Sequence, residues 1–346
     1  MRSKSTFARV SRREFLRGVA GGVGSLGVAS VARPAAAATS PEVILRYASP
    51  MAGSDPSSQA QRVFKQRAEQ LSNGRIRVDV FADAALGGAP ELVEQVRAGT
   101  ITMALGAGSW LQAAAPPFLG ITLPYLFTDR VTVFKVLDGP VGQKLSGELE
   151  KSGLKMLGWH DSGFRHVMNN KRPVSVPADM SGMKIRVQSN PAHLEAFKAF
   201  GAIPVAMDIK EVYSAAQQGV VDGLEYVLAA IIPNRFHEVT KYLSLTSHAF
   251  EVIGSYVNKA AWDKLPPDLQ NIVLEASKAE IAWERQKTLE LEGQALADLK
   301  AKGMIINQPT PAQIKQFVDI ARPLYSHYEN RIGKDMLAEL LKAVGA

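Results

Sequence analysis

Residues 75–105 read RIRVDVFADAALGGAPELVEQVRAGTITMAL, and the fold is decided in them. Arg75-Ile-Arg-Val-Asp-Val-Phe81 alternates polar and apolar side chains, the period of a half-buried strand. Gly87-Gly88 and Pro90 open a helix over Glu91–Ala98, which Gly99 ends. Ile101-Thr-Met-Ala-Leu105 is strand-sized again, and Gly106-Ala-Gly-Ser109 follows at its carboxyl end. Strand, helix and strand at this spacing form a βαβ unit and predict a largely parallel sheet in an α/β fold.

The rhythm continues on both sides. Val43–Ala48 reads as a strand, and Gln59–Leu71 has helical spacing until Ser72-Asn73-Gly74 stops it. Val131–Leu137 begins a helical region that reaches about Ser152, with a break at Gly139-Pro140. Leu154–Trp159, Arg165–Asn169, Lys184–Val187 and Ile203–Met207 read as strands, and His193–Phe200 and Lys210–Gln218 as helices. Val220–Tyr226 is extended, and the strands Tyr242–Thr246 and Val252–Val257 bound a segment near His248. From Pro267 to Gly303 there is no further proline and one interior glycine, Gly293. Two readings stay open there: two helices broken near Gly293, or one helix of about 35 residues and about 52 Å. One piece would be longer than a lobe of about 150 residues is wide, so it would touch both lobes.

The chain has 346 residues with 40 Lys+Arg against 33 Asp+Glu, a net charge of +7 and a pI near 9.4. That excess sits in residues 1–38, which hold seven basic residues against Glu14 alone. The remainder has 33 basic and 32 acidic residues, so a nucleic-acid partner is excluded as a reading of charge. Ser11-Arg-Arg-Glu-Phe-Leu-Arg17 resembles the twin-arginine (Tat) export signal. An uncharged Gly/Ala-rich run follows at 18–32, then Ala35-Ala-Ala-Ala38, with cleavage expected near Ala38 and the mature protein in the periplasm. Gly22-Val-Gly24-Ser-Leu-Gly27 spells a dinucleotide-binding pattern, but it follows an Arg-rich leader rather than a strand and is set aside. No stretch beyond the leader approaches about 18 uninterrupted apolar residues, so no membrane span is expected. Cysteine is absent, which removes disulfides, thiol nucleophiles and thiolate metal sites.

Catalytic constellations are missing. The six histidines show no zinc-hydrolase spacing, and no nucleophile elbow or phosphate loop occurs after the leader. His160-Asp161, adjacent on a strand, project to opposite sides, which points to a surface role. Arginines on strands stand out instead: Arg165 in Ser162-Gly-Phe-Arg-His166 and Arg186 in Met183-Lys-Ile-Arg-Val187. A guanidinium grips a carboxylate through two parallel hydrogen bonds. Periodicity puts Lys184 and Arg186 on one face and Ile185 and Val187 on the core face. Taken singly, each arginine is more often a surface ion pair than a ligand contact.

Longer stretches carry a resemblance. Pro177-Ala-Asp-Met-Ser-Gly-Met-Lys-Ile-Arg-Val187, Phe197-Lys-Ala-Phe-Gly-Ala202, Glu211-Val-Tyr213 and Gly219-Val-Val-Asp-Gly-Leu-Glu225 occur in order. With Leu86-Gly87-Gly88, Glu91–Gly99, Leu123–Phe127, Gly163–His166 and Lys171–Pro173, they resemble the solute-binding proteins of tripartite ATP-independent periplasmic (TRAP) transporters, the C4-dicarboxylate-binding (DctP-like) family. The resemblance implies a two-lobed flytrap of the periplasmic binding protein kind, with crossing hinge strands and a long helix spanning both lobes. Lobe I is expected over 39–163 plus about 252–290, and lobe II over 164–251 plus about 291–346. It implies an organic-acid ligand whose carboxylate is held by Arg186 with Arg165 nearby, no enzymatic activity, and delivery to small and large membrane subunits of a TRAP permease.

This chain departs from the pattern where many members read Asp-Gly-x-Glu-Asn, because Tyr226 ends Asp222-Gly-Leu-Glu-Tyr226. A branch that binds 2-oxo acids has Glu-Trp there, and a metal can bridge that glutamate and the ligand. Asp222-Gly223 and Gly163-Phe-Arg165 side with the dicarboxylate branch, so neither metal nor cofactor is expected. Ile209 and Ala107 differ from sialic-acid binders and argue against nine-carbon sugars. Glu225, Tyr226, Trp159 and Ser109 complete the expected ligand-binding set, with core packing an equal reading for Trp159. A sensing module for a periplasmic receptor and a periplasmic enzyme are the alternative functions.

Overall fold

The computed structural model describes residues 40–345. The twin-arginine segment, the Gly22–Gly27 pattern and the Ala38 cleavage position lie outside the described residues. Nine strands form one mixed sheet: β1 (Val43–Ala48), β2 (Ile76–Phe81), β3 (Met103–Ala107), β4 (Leu154–Asn169), β5 (Lys184–Val187), β6 (Ile203–Ala206), β7 (Gly223–Val227), β8 (Tyr242–Asn258) and β9 (Ile305–Asn307). Their order is β2-β1-β3-β8-β4-β7-β5-β6, with β9 also on β8. β1 runs parallel to β2 and β3, and β5 runs parallel to β6 and β7. Between these two parallel blocks lie β4 and β8, antiparallel to each other and to their outer neighbours.

The sequence reading cut both long strands in two, yet each is continuous, over 16 and 17 residues. At about 3.3 Å per residue such strands span about 53 Å, so each serves both blocks. Their pairing slips at three places, one of them between Asp161 and Gly163. Gly163 has φ +98°, where a side chain would be strained, and a Cβ there would sit 2.0 Å from the Glu292 carboxylate. Polar residues and a glycine at these bulges interrupted the alternation that the sequence reading relied on.

Each parallel block is covered on both faces, as parallel sheets require. Phe64, Val78, Leu269 and Val273 pack on one face of the first block, and Leu92, Phe118, Leu145 and Leu340 on the other. The second block is sealed by Val212, Leu224, Phe236 and Leu299 on one side and by Ile185, Phe197, Phe200 and Phe317 on the other. The C-terminal helix Lys334–Ala343 returns to the first block, where Leu337 and Leu340 join Phe118 and Leu119.

Pro267–Ala301 is one helix of 35 residues. A break at Gly293 does not occur, because that glycine faces open space and the helix is anchored at both ends. Val273 and Ala276 lie in the first block's core and Ala295 and Leu299 in the second's. The cost of an interior glycine, about 1 kcal/mol, is small against that packing.

Between the anchors the helix buries acids. Glu280 accepts from the Tyr47 hydroxyl at 2.6 Å, and Glu284 accepts from the Asp161 backbone N–H at 2.8 Å and the Ser57 hydroxyl at 3.1 Å. His160 and Asp161 are fully buried over this stretch, which corrects the surface role expected for them. Asp161 is paired with Arg130.

Burial pushes the Glu280 carboxyl from its ordinary 4.5 up to about 8. Between those values the unfolded chain holds fewer protons than the native state, so stability falls as pH rises through the window. Glu280→Gln, which keeps an acceptor for Tyr47, is expected to remove the share of that slope due to Glu280, while Glu284, whose carboxyl burial also raises, keeps its own. The substitution should raise stability at pH 8 by on the order of 2–4 kcal/mol, read from denaturant midpoints at pH 5 and pH 8.

Candidate ligand-binding site

The carboxyl ends of the two parallel blocks face each other, and polar side chains bridge them. Ser54 Oγ donates to the Pro233 carbonyl at 3.3 Å, and the Ala89 N–H donates to Asp208 at 3.1 Å. Asp55, the N-cap of the helix Pro56–Leu71, receives Asn234 Nδ2 at 3.5 Å. At the mouth of this cleft a cavity of about 420 Å³ is lined by Ser54, Asp83, Lys210, Tyr213, Asn234 and Arg235.

Deeper in, β5 delivers Arg186. Its neighbours Ile185 and Val187 enter the core, and the alternation turns Arg186 to the other face, where it is 1% exposed. Nε and Nη2 donate to the Met207 carbonyl at 3.0 and 2.8 Å. Nη1 is buried without a hydrogen-bond partner. Among the described residues no carboxylate pairs with this guanidinium, and burial lowers its pKa to about 10, with Glu225 opposing the fall and Arg165 adding to it. A charged donor in this state is costly unless an anion reaches it.

Arg165, from β4, is equally buried but fully engaged. Nε and Nη2 fork onto the Glu225 carboxylate, Nη2 at 2.8 Å, while Nη1 donates to Glu251 at 2.7 Å. Arg165 lies in the same buried cluster as Arg186, as expected, but two internal acids occupy its fork. Burial opposes charge on Glu225, but the Arg165 guanidinium and the His248 ring hold its carboxyl well below the usual carboxylate range. His248 Nε2 lies 3.2 Å from Glu225, and Nδ1 lies 2.9 Å from the Thr246 hydroxyl. The carboxylate can only accept, so His248 donates through Nε2 and accepts at Nδ1.

Glu251 sits on β8 where the sequence reading had only a segment near His248. Burial raises its carboxyl, and Arg165 and Gln188 counter that rise. Gln188, the residue after β5, donates to Glu251 at 2.6 Å and accepts from the Ser109 hydroxyl. Ser109 stands at the carboxyl end of β3, so a chain of hydrogen bonds runs from the first block through Gln188 and Glu251 to Arg165 and Glu225. Glu251, Gln188, Asp55 and His248 were missed in the sequence. The one available signal was an acid inside the apolar run Ala249-Phe-Glu-Val-Ile253.

Tyr226 is brought to the same place. The Arg165 guanidinium lies over its ring at 5.5 Å, and its edge meets Phe236 at 5.1 Å. Burial and the nearby Asp55 charge push its phenol up, so it stays protonated and able to donate. Trp159 is not brought to the site. It is 4% exposed and packs against Phe118 at 5.6 Å in the first block's core, so its reading as a ligand contact is replaced by core packing. Arg186, Arg165, Glu225, Tyr226 and Ser109 thus converge in one buried polar cluster. Among the described residues no group of three His, Asp or Glu is placed to hold a metal ion. Among them, too, no helix is long and apolar enough to cross a membrane.

This arrangement has close relatives. The chain is 33% identical over 307 residues to the 2,3-diketo-L-gulonate-binding periplasmic protein YiaO of Escherichia coli (strain K12), covering 87% of this chain and 90% of that one. It superposes with a TM-score of 0.85 and 27% identity on the sugar acid binding protein DctPAm of Advenella mimigardefordensis in complex with galactonate, covering 88% and 98% of the two chains. A TRAP periplasmic solute binding protein of Sulfurospirillum deleyianum with bound succinate matches at a TM-score of 0.82 and 30% identity, covering 87% and 98%. At these TM-scores the two solved structures share the fold of this chain. Residues 47–331 match the model of one family, and the chain belongs to it: the bacterial extracellular solute-binding proteins, family 7.

Proposed function

We propose that this protein is the capture subunit of a TRAP transporter and holds an organic acid by its carboxylate at Arg186. One observation carries the reading: a fully buried guanidinium whose Nη1 donor has no partner, set between two lobes at the ends of their strands. The galactonate and succinate bound to the two structural relatives are both carboxylates. The protein binds its solute and does not transform it, and no observation favours a sensing module. We assign residues 1–38 to a Tat signal peptide cleaved near Ala38, the mature chain to the periplasm, and delivery to the small and large membrane subunits of the permease. Lobe I is taken as 39–163 plus about 252–290, and lobe II as 164–251 plus about 291–346, with one change at the C-terminus. The packing of Leu337 and Leu340 supports moving residues 329–343 from lobe II to lobe I.

Two experiments test this. Mature protein incubated with a mixture of organic acids is expected to retain one, identified by mass spectrometry after desalting and denaturation; retention of none counts against the reading. Lysine at both Arg12 and Arg13 is expected to leave uncleaved precursor in the cytoplasm, seen by immunoblotting of cell fractions.

A further inference from the structure

The geometry points to a ligand with one carboxylate rather than two, and to Glu251 as the residue that sets this limit. The inference rests on the binding role proposed for Arg186 and narrows it. Two buried cations meet at the site, and each can be followed donor by donor. Arg165 spends Nε and Nη2 on Glu225 and Nη1 on Glu251. Arg186 spends Nε and Nη2 on the Met207 carbonyl. Nη1 of Arg186 is then the only guanidinium nitrogen of this pair without a partner.

The rest of the cleft offers a second carboxylate little. Glu251 and Asp55 are buried acids within it, and Gln188 and Ser109 are tied to each other. At the mouth, Arg235 forks onto Glu238 at 2.9 and 2.8 Å, and Lys210 lies 3.8 Å from Glu91. In the buried part of the cleft a second anionic group would enter beside Glu251 or Asp55 with every other guanidinium donor of Arg165 and Arg186 taken, and like charges in a buried site repel strongly. Hydroxyl groups suit the same surfaces, because carboxylates accept from them. The chemical class is a hydroxylated monocarboxylate.

Matched pairs differing only in a terminal CH₂OH or carboxylate test this without a mutation: 4-hydroxybutanoate and succinate, D-erythronate and meso-tartrate, galactonate and galactarate. Calorimetric titration of the mature protein is expected to favour the monocarboxylate by about 30-fold or more in every pair that binds. A dicarboxylate that binds as tightly as its partner overturns the limit and leaves the carboxylate reading standing. Binding by none of the six counts against both. Glu251→Gln keeps the size and an acceptor for Arg165, and it is expected to shrink the preference by about tenfold or more. An unchanged preference in a folded variant overturns the role of Glu251. The wild-type pairs decide the limit itself even if the variant does not fold.

Discussion

Arg186→Ala is expected to weaken binding of the retained organic acid by roughly 30- to 4,000-fold, the equivalent of about 2–5 kcal/mol. The size follows from burial. Nη1 meets neither an internal acid nor solvent, so a ligand carboxylate replaces no competing partner and gains a charge-assisted bond in a dry site. The fold should tolerate the loss better than the ligand does, since the side chain's only protein acceptor is the Met207 carbonyl. Arg186→Lys should restore only part of the affinity, because an ammonium cannot hold Met207 and a carboxylate in one plane. Calorimetry on the three proteins reads all of this.

Removing Glu225 should strike stability instead. Glu225→Ala leaves Arg165 buried with half of its fork empty, and stripping one partner from a buried ion pair costs about 3–5 kcal/mol. For a chain of this size that lowers Tm by roughly 5–10 °C in a thermal scan. Glu251 and the Glu225 backbone carbonyl still engage Arg165, so partial folding is retained and the loss is measurable. The contrast between the two variants separates the roles: position 186 sets affinity, and position 225 holds the lobe together beneath it.

The face that Arg186 takes was legible because a strand of four residues has apolar neighbours on the other face, but spacing alone favoured a surface ion pair and the ligand role came from the resemblance. Glu225 and Tyr226 entered only through the resemblance of Asp222-Gly-Leu-Glu-Tyr226, because two adjacent strand residues point to opposite faces. Glu251 was not legible, because its partners Arg165 and Gln188 lie 86 and 63 residues away and spacing along one strand carries no trace of them. The continuity of β4 and β8 was hidden for a related reason: bulges near Asp161 and Arg165 shift the alternation, so each strand reads as two fragments. For Trp159 ligand contact and core packing were equal readings of the sequence, and Phe118 from a distant segment, which claims its face, decides for the core. The long helix was resolved by tertiary packing at its two ends, which no local propensity at Gly293 reports.

A crystal structure of the mature protein with its retained acid tests the central claim most directly. One carboxylate oxygen is expected within about 3 Å of Arg186 Nη1, with Arg165 still forked onto Glu225 and touching Glu251. A ligand seated elsewhere, with Nη1 left bare or turned to an internal acid, would contradict it.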